Sequence, residues 1–429
     1  MAKAEKKKIG LTTRIFISLL LGAILGVFLH YCVLPNDAVQ NILVDGVFYV
    51  VGQGFLRLMQ MLVVPLVLCS LICGASAIGD TKTLGKVGVR TVVFYIITTA
   101  LAVAVALTVA RIINPGMGMD LNSLQTTETQ IATTQTSMVD TLLDIIPKNP
   151  IESLATGNML QIIVFAIIVG IILAKLGDKT QIVHNLFQQG NDIMMEMTMM
   201  VMSLAPIGVF CLIARTFSGM GFDAFQPLIK YMFAVMLALV IQCLGVYQIL
   251  LKLFTGLNPI RFIKKFLPVM GFAFSTATSN ATIPLSIDTL ERKMGVSRRI
   301  SSFTIPLGAT INMDGTSIMQ GVAVVFIAQA YGIALTPMDY VTVIATATLA
   351  SIGTAGVPSV GLVTLSMVLT SVGLPIEGIG FIMGIDRILD MSRTAVNITG
   401  DAVCTTIVAQ QNQALDKEIF NKKEAELEA

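Results

Sequence analysis

Between positions 386 and 401 the chain reads DRILDMSRTAVNITGD. Asp386, Asp390, Arg393, Thr394, Asn397 and Asp401 stand 4, 3, 1, 3 and 4 residues apart, so on an α-helix they share one face. Arg393 offers a planar fork suited to a carboxylate. Asp390, one turn away, suits an ammonium group, and Asn397 and Asp401 add oxygens for a cation. That set of groups can recognise a zwitterion bearing a second acid. The same residues also allow a self-cancelling ladder of Asp386 and Asp390 against Arg387 and Arg393.

A second set lies in Pro306-Leu307-Gly308-Ala309-Thr310-Ile311-Asn312-Met313-Asp314-Gly315-Thr316. Gly308 and Gly315 predict an interrupted helix with freed carbonyls, and Asp314 is an expensive carboxylate to bury unless a cation pairs with it. Carboxylate, amide, hydroxyl and carbonyl oxygens together suit a hard alkali cation; a polar kink satisfied by neighbouring helices is the other reading.

These residues must be held by elements that the composition restricts. The chain has 429 residues, 55 % hydrophobic and 13 % charged, with no Trp and a net charge of +2, and its mean hydropathy is +0.81. A soluble protein of this size has about a quarter of its residues charged, and fewer would leave apolar patches larger than monomers tolerate. Intrinsic disorder and nucleic-acid binding are excluded by the same numbers. A polytopic helical membrane protein remains.

A span needs roughly 20 apolar residues, which predicts crossings near 15–34, 47–77, 88–113, 159–175, 193–214 and 230–254. Lys3, Lys6, Lys7, Lys8 and Arg14, then Lys82, Lys86 and Arg90, then Lys175 and Lys179, then Lys252, Arg261, Lys264 and Lys265 fall in alternate loops; the others carry only Lys148, Arg215 and Lys230. The positive-inside rule therefore places the N-terminus in the cytoplasm. The stretch from Ile15 to Leu34 is too long for a signal-peptide core and lacks a cleavage site after it, so it is predicted to be a first membrane helix.

Segment 266–290 is apolar yet flanked by cations on both sides, which predicts a re-entrant hairpin with Ser275 to Thr282 at its tip. Residues 301–330 then cross to a loop without Lys or Arg. Segment 341–372 holds Ser351 to Pro358 at its middle, a stretch that breaks a helix, and is predicted to be a second hairpin opening outward. Residues 377–409 cross back to Lys417, Lys422 and Lys423. The expectation is an all-α polytopic membrane protein with eight transmembrane helices and two oppositely oriented re-entrant hairpins as inverted repeats. Both termini would be cytoplasmic, in the cell (inner or plasma) membrane.

Cys32, Cys69, Cys73, Cys211, Cys243 and Cys404 show no CxxC spacing with nearby His and are expected to pack as small apolar groups. His30 and His184 sit at segment ends, as surface or packing residues. No Ser/His/Asp set, phosphate-cradling loop or metal triad is visible, so an enzyme is not expected.

At the tip near Ser279, at Asn312-Met313-Asp314-Gly315-Thr316, at Ser351 to Pro358 and at Asp390 to Asp401 the sequence resembles the glutamate transporter family of sodium:dicarboxylate/amino-acid symporters, in order over nearly the whole chain. It is similar to prokaryotic sodium/aspartate or glutamate symporters. The resemblance implies a homotrimer and an elevator-type motion. Residues 1–258 would be mainly scaffold and trimerisation helices, with the helix near 88–113 moving with the transport domain. Residues 259–412 would form that domain's core, and 413–429 a charged cytoplasmic tail.

The resemblance puts the substrate side-chain carboxylate on Arg393 and the amino group on Asp390. Asn397, Thr316, Thr394 and hairpin backbone near Ser279, Val357 and Gly361 would complete the pocket. One sodium would be held near Gly308 by Asn312, Asn397 and Asp401. A second would lie among Thr310, Met313, Ser351, Ile352 and Thr354. A third would use Tyr95, Thr98, Thr99, Asn312 and Asp314. Sodium ions would be co-transported, with no organic cofactor.

Relatives with neutral substrates tend to lack the arginine at 393, and dicarboxylate relatives tend to lack the aspartate at 390. Both are here, favouring L-aspartate or L-glutamate. Proton-moving relatives of the mammalian type have a glutamate where this chain has Gln320. Archaeal relatives often carry an arginine where this chain has Ala277, and Arg387 can substitute for it. A proton-coupled or C4-dicarboxylate carrier is the alternative; a ligand-gated anion channel fits the acid-rich face poorly.

Overall fold

The computed structural model describes residues 11–33, 36–79, 86–118, 146–221, 225–352, 360–383 and 385–422. They are all-helical, apart from an isolated antiparallel bridge between Val296 and Leu415. In chain order the principal helices begin with α1 (Leu11–Phe28), α2 (Tyr49–Gly79), α3 (Lys86–Ile113), α4 (Met159–Leu176), α5 (Gln181–Ser203) and α6 (Ala205–Met220). Next, α7 (Phe225–Val240) runs through a π-helical stretch, Ile241–Val246, into α8 (Tyr247–Thr255). The rest are α9 (Pro259–Thr276), α10 (Ser279–Arg292), α11 (Arg298–Ile311), α12 (Asp314–Ala330), α13 (Pro337–Ser351), α14 (Val360–Ser371), α15 (Asp386–Gln411) and the short α16 (Lys417–Asn421).

Among the described residues four helical stretches are long and apolar enough to cross a bilayer: Val87–Ile113, Gln161–Val201, Phe225–Thr255 and Arg298–Ala330. The outer surface is apolar, with Leu21 and Ile24 of α1 and Ile182 and Leu186 of α5 all exposed, as a lipid-facing surface requires. The expected crossing at 193–214 is divided between α5 and α6 at Leu204. Pro206 cannot donate to the preceding turn, so it starts a helix more readily than it continues one.

Two groups of helices pack on one another. α1 lies along α6, and α2 packs on α4, α5 and α6. The second group centres on α12 and α15, with α3, α7, α8, α9, α10, α11 and α13 arranged round them. The apolar stretch of Arg298–Ala330 is wholly enclosed by protein. α7 packs against α3, α12 and α15, and α8 against α15.

The segment 259–292 is a helical hairpin. Asn258 caps its first limb by accepting from the amides of Ile260 and Arg261, and Pro259 occupies the first helical position. The turn is shorter than the polar run Ser275 to Thr282 suggested: only Ala277 and Thr278 lie between the limbs, Ala277 at φ 50°. The hydroxyls of Ser275, Thr276 and Thr282 bond to carbonyls of their own helix, so these residues stay helical.

A clasp at the open end of this hairpin involves the last residues of the chain. Lys265 is buried, and its Nζ donates to the carbonyls of Lys293 (2.6 Å), Phe420 (2.9 Å) and Ile419 (3.2 Å). Ser297 donates its amide to Ala414, Asp416 donates to Gly295, and Lys417 Nζ reaches the carbonyl of Thr255. Gly295 adopts φ 71° with its Cα against the Asp416 carbonyl, where a side chain would collide.

Candidate substrate and cation site

α15 carries the ionic face that its spacing predicted. Arg393 is only 1 % exposed, and its Nη1 donates to Asp386 Oδ1 at 2.7 Å and its Nη2 to Asp390 Oδ1 at 2.8 Å. The ladder reading is thus present for Arg393, whereas the side chain of Arg387 lies outside the described residues. Two carboxylates around one guanidinium leave an excess negative charge, which favours an ammonium group nearby. Arg393 Nε is buried and has no partner among the described residues. A buried N–H of this kind calls for an acceptor.

The remaining pocket residues gather round that guanidinium unevenly. A Cβ built on Gly361 of α14 would lie 2.9 Å from Thr316 Cγ2 and 3.6 Å from Arg393 Nη2, so Thr316, Gly361 and Arg393 converge. Thr394 bonds back to the Asp390 carbonyl at 2.8 Å. Ser279 is buried at the start of α10, which packs on α15, but no hydrogen bond among the described residues joins it to Arg393 or Asp390. Val357 lies outside the described residues.

The oxygen-rich stretch of α11 and α12 is broken, though not at its glycines. α11 runs through Gly308 to Ile311, Asn312 and Met313 leave helical geometry, and α12 starts at Asp314. The glycines serve close approach instead. A Cβ on Gly308 would fall on the Asp401 carboxylate and 2.5 Å from the Tyr95 hydroxyl, and one on Gly315 would meet the Arg393 backbone and Asn397.

Two oxygen clusters flank this break. In the first, Asn312 Nδ2 donates to Asp401 Oδ1 (2.8 Å) and to the Asn397 carbonyl (3.2 Å), and Asn397 Oδ1 accepts from the Gly315 amide (2.7 Å). Both partners of Nδ2 are acceptors, which fixes the amide orientation and leaves Asn312 Oδ1 buried without a partner among the described residues. An unpartnered amide oxygen beside a carboxylate fits a hard cation. In the second, Asp314 is fully buried with Thr99 Oγ1 2.5 Å from its Oδ1; the single Thr99 hydroxyl hydrogen has both that carboxylate and the Tyr95 carbonyl in reach, and Thr98 Oγ1 donates to the same carbonyl. Tyr95, Thr98, Thr99 and Asp314 are thereby brought together.

The set expected around Thr310, Met313, Ser351, Ile352 and Thr354 is less complete. Thr310 is exposed and bonds within its own helix, Met313 Sδ accepts from Asn397 Nδ2 at 3.3 Å, and Ser351 bonds to Thr348. Ile352 is buried, and Thr354 lies outside the described residues. Among the described residues no group of three or more His, Cys, Asp or Glu side chains converges, so a cation here would depend on mixed oxygens.

Sequence reasoning missed Gln242 and Tyr247, which donate to Asp314 Oδ2 at 3.3 and 2.7 Å. Five residues apart, they fall about 140° from each other on an α-helix. The π-helical turn stacks one over the other, with the Tyr247 amide bonded to the Gln242 carbonyl. A buried Gln and Tyr in an apolar helix were the available signal. Gln320 is also buried, its Nε2 donating to Thr364 Oγ1 of α14 at 2.8 Å.

Comparison with known proteins adds the following. The profile of the sodium:dicarboxylate symporter family matches residues 11–411. The chain is 38 % identical to a proton/sodium-glutamate symport protein of Bacillus caldotenax, over 98 % of this chain and 99 % of that one. It is 35 % identical to the proton/glutamate-aspartate symporter of Escherichia coli, over 96 % of this chain and 94 % of the relative. It is 32 % identical to mouse excitatory amino acid transporter 3, over 92 % and 84 %.

Proposed function

The chain belongs to the sodium:dicarboxylate symporter family, and from that premise we propose that it takes up an acidic amino acid, L-aspartate or L-glutamate, with sodium. The observation that carries this reading is the buried Arg393, held by Asp386 and Asp390 with its Nε unpaired. A substrate's side-chain carboxylate accepts from Arg393, and its ammonium meets Asp390. Thr316, Thr394, Asn397, Gly361 and backbone near Ser279 and Val357 close the pocket around it.

Sodium travels as a second substrate, held by the oxygens of Asp401, Asn312 and Asn397 beneath Gly308, and by Asp314 with Tyr95, Thr98 and Thr99. A third position draws on Thr310, Met313, Ser351, Ile352 and Thr354. Each net charge moved inward gains about 2.3 kcal/mol per 100 mV, so several cations per substrate drive steep accumulation. The name of the Bacillus caldotenax relative pairs sodium with protons and that of the Escherichia coli relative gives protons alone, but Gln320 offers no titratable group at its buried place against Thr364.

In the proposed architecture eight transmembrane helices and two hairpins of opposite orientation, α9–α10 and α13–α14, form inverted repeats with both termini cytoplasmic. The core of α9 to α15, together with α3, α7 and α8, moves as an elevator against a scaffold built from the other helices in a homotrimer. Uptake of radiolabelled aspartate into proteoliposomes tests the coupling. An inward sodium gradient at equal pH should drive accumulation. Uptake that follows a pH gradient and ignores sodium would overturn the sodium reading in favour of proton coupling.

A further inference from the structure

Asp314 is fully buried, and among the described residues no Lys or Arg hydrogen-bonds to it. Its two oxygens are treated differently. Oδ1 meets Thr99 of α3, beside the Tyr95 carbonyl, whereas Oδ2 accepts from Tyr247 and Gln242 of the α7–α8 helix. Gln242 Nε2 also reaches the Thr98 carbonyl at 3.4 Å, so the same amide touches both walls of the oxygen cluster. Both acceptors fix the amide orientation, and Gln242 Oε1 is left buried without a partner among the described residues.

Tyr247 reaches this place only because of Gly400. A Cβ on Gly400 would stand 2.5 Å from the Tyr247 hydroxyl and 2.7 Å from Asn312 Nδ2. The hydroxyl therefore passes over α15 next to the amide that bonds Asp401, and lies between the two carboxylate clusters. The π-helical turn aims both donors at one oxygen, a register that an unbroken α-helix does not supply.

We infer that Tyr247 and Gln242 are positioning residues for the cation at Asp314: they hold Oδ2 so that Oδ1 faces Tyr95, Thr98 and Thr99. The inference rests on the sodium reading of that cluster. Neither residue touches the cation. Each neutralises part of the carboxylate's charge and fixes its rotation about Cβ–Cγ, so the ligand oxygen is presented without prior rearrangement.

The test measures sodium dependence of aspartate uptake in proteoliposomes for Tyr247→Phe, Gln242→Met and Asp314→Asn. The melting temperature of each variant is followed in sodium and in choline. Loss of one hydrogen bond to a charged group is expected to raise the half-saturating sodium concentration about tenfold in Tyr247→Phe. Gln242→Met should act in the same direction, and aspartate half-saturation at saturating sodium should stay within about twofold. The stabilisation that sodium adds over choline should shrink; a purely structural role would lower melting equally in both salts. Unchanged sodium dependence in Tyr247→Phe and Gln242→Met, with a large shift in Asp314→Asn, overturns the positioning role alone. Unchanged sodium dependence in Asp314→Asn overturns the sodium reading and this inference with it. Gly400→Ala blocks the path of Tyr247 and also crowds Asn312 Nδ2, so its shift should be at least as large as that of Tyr247→Phe, and normal sodium dependence there also counts against the role.

Discussion

Arg393 and Asp386 are joined at 2.7 Å across two turns of one helix, both almost entirely buried. With Asp390 they form a trio whose formal charge is negative, which on the proposed reading favours the substrate's ammonium. Recognition of an acidic amino acid then requires the guanidinium to serve its own aspartates and the substrate together.

Arg393→Ala is expected to abolish saturable aspartate uptake, because two buried carboxylates lose the guanidinium that they share; breaking such a pair costs about 3–5 kcal/mol. Asp386→Asn keeps the shape but removes the excess negative charge, so half-saturating aspartate should rise about tenfold, the equivalent of 1.4 kcal/mol. Concentration series of labelled aspartate at saturating sodium measure both. Normal aspartate affinity in Arg393→Ala would remove Arg393 from the pocket.

Gly308→Ala should strike the cation side instead. The new methyl falls on the Asp401 carboxylate and the Tyr95 hydroxyl, and both residues are buried. Uptake is expected to fall at least about tenfold with a higher sodium requirement. Gly271→Ala is the matched control. Its Cβ meets nothing within 4 Å, and replacing Gly inside a helix by Ala stabilises by about 1 kcal/mol. Equal loss in both variants would contradict the close-approach role of Gly308.

The clasp predicts a stability effect away from the pocket. Lys265→Met leaves the carbonyls of Lys293, Ile419 and Phe420 without their shared donor, and Phe420→Ala empties a fully buried ring position, which costs about 3–5 kcal/mol. Hydrogen exchange should quicken at residues 259–268 and 290–297, while aspartate affinity of the surviving folded protein stays unchanged. Unaltered exchange at those residues would mean that the hairpin base is held by other contacts.

How much of this was legible in the sequence depends on the local geometry involved. The face of Asp386 to Asp401 could be read because one regular helix carries it, and spacing then translates directly into direction. The family resemblance also placed Tyr95, Thr98 and Thr99 against Asp314, which periodicity could not. Gly308 and Gly315 were assigned to unwinding because glycine breaks isolated helices; in the packed core they give room to Asp401 and Arg393. Gln242 and Tyr247 were invisible because a π-helical turn changes the angular step between residues, and nothing in Ile241–Val246 marks that turn in the sequence. Chain order likewise says nothing of the packing of α7 on α12 and of α8 on α15.

The partners of Asp314 also bear on how such a site is made. Thr99, Gln242 and Tyr247 all precede it in the chain, and Arg393 has both its aspartates on its own helix, at earlier positions. During synthesis from the N-terminus, Asp314 and Arg393 thus emerge after groups that satisfy them, and Asp401, on the final long helix, likewise follows Asn312. Asp386, Asp390 and Lys265 emerge first and wait for Arg393, Lys293 and Phe420. For the two aspartates the wait is less than two helical turns; for Lys265 it lasts until the carbonyl of Phe420 is made.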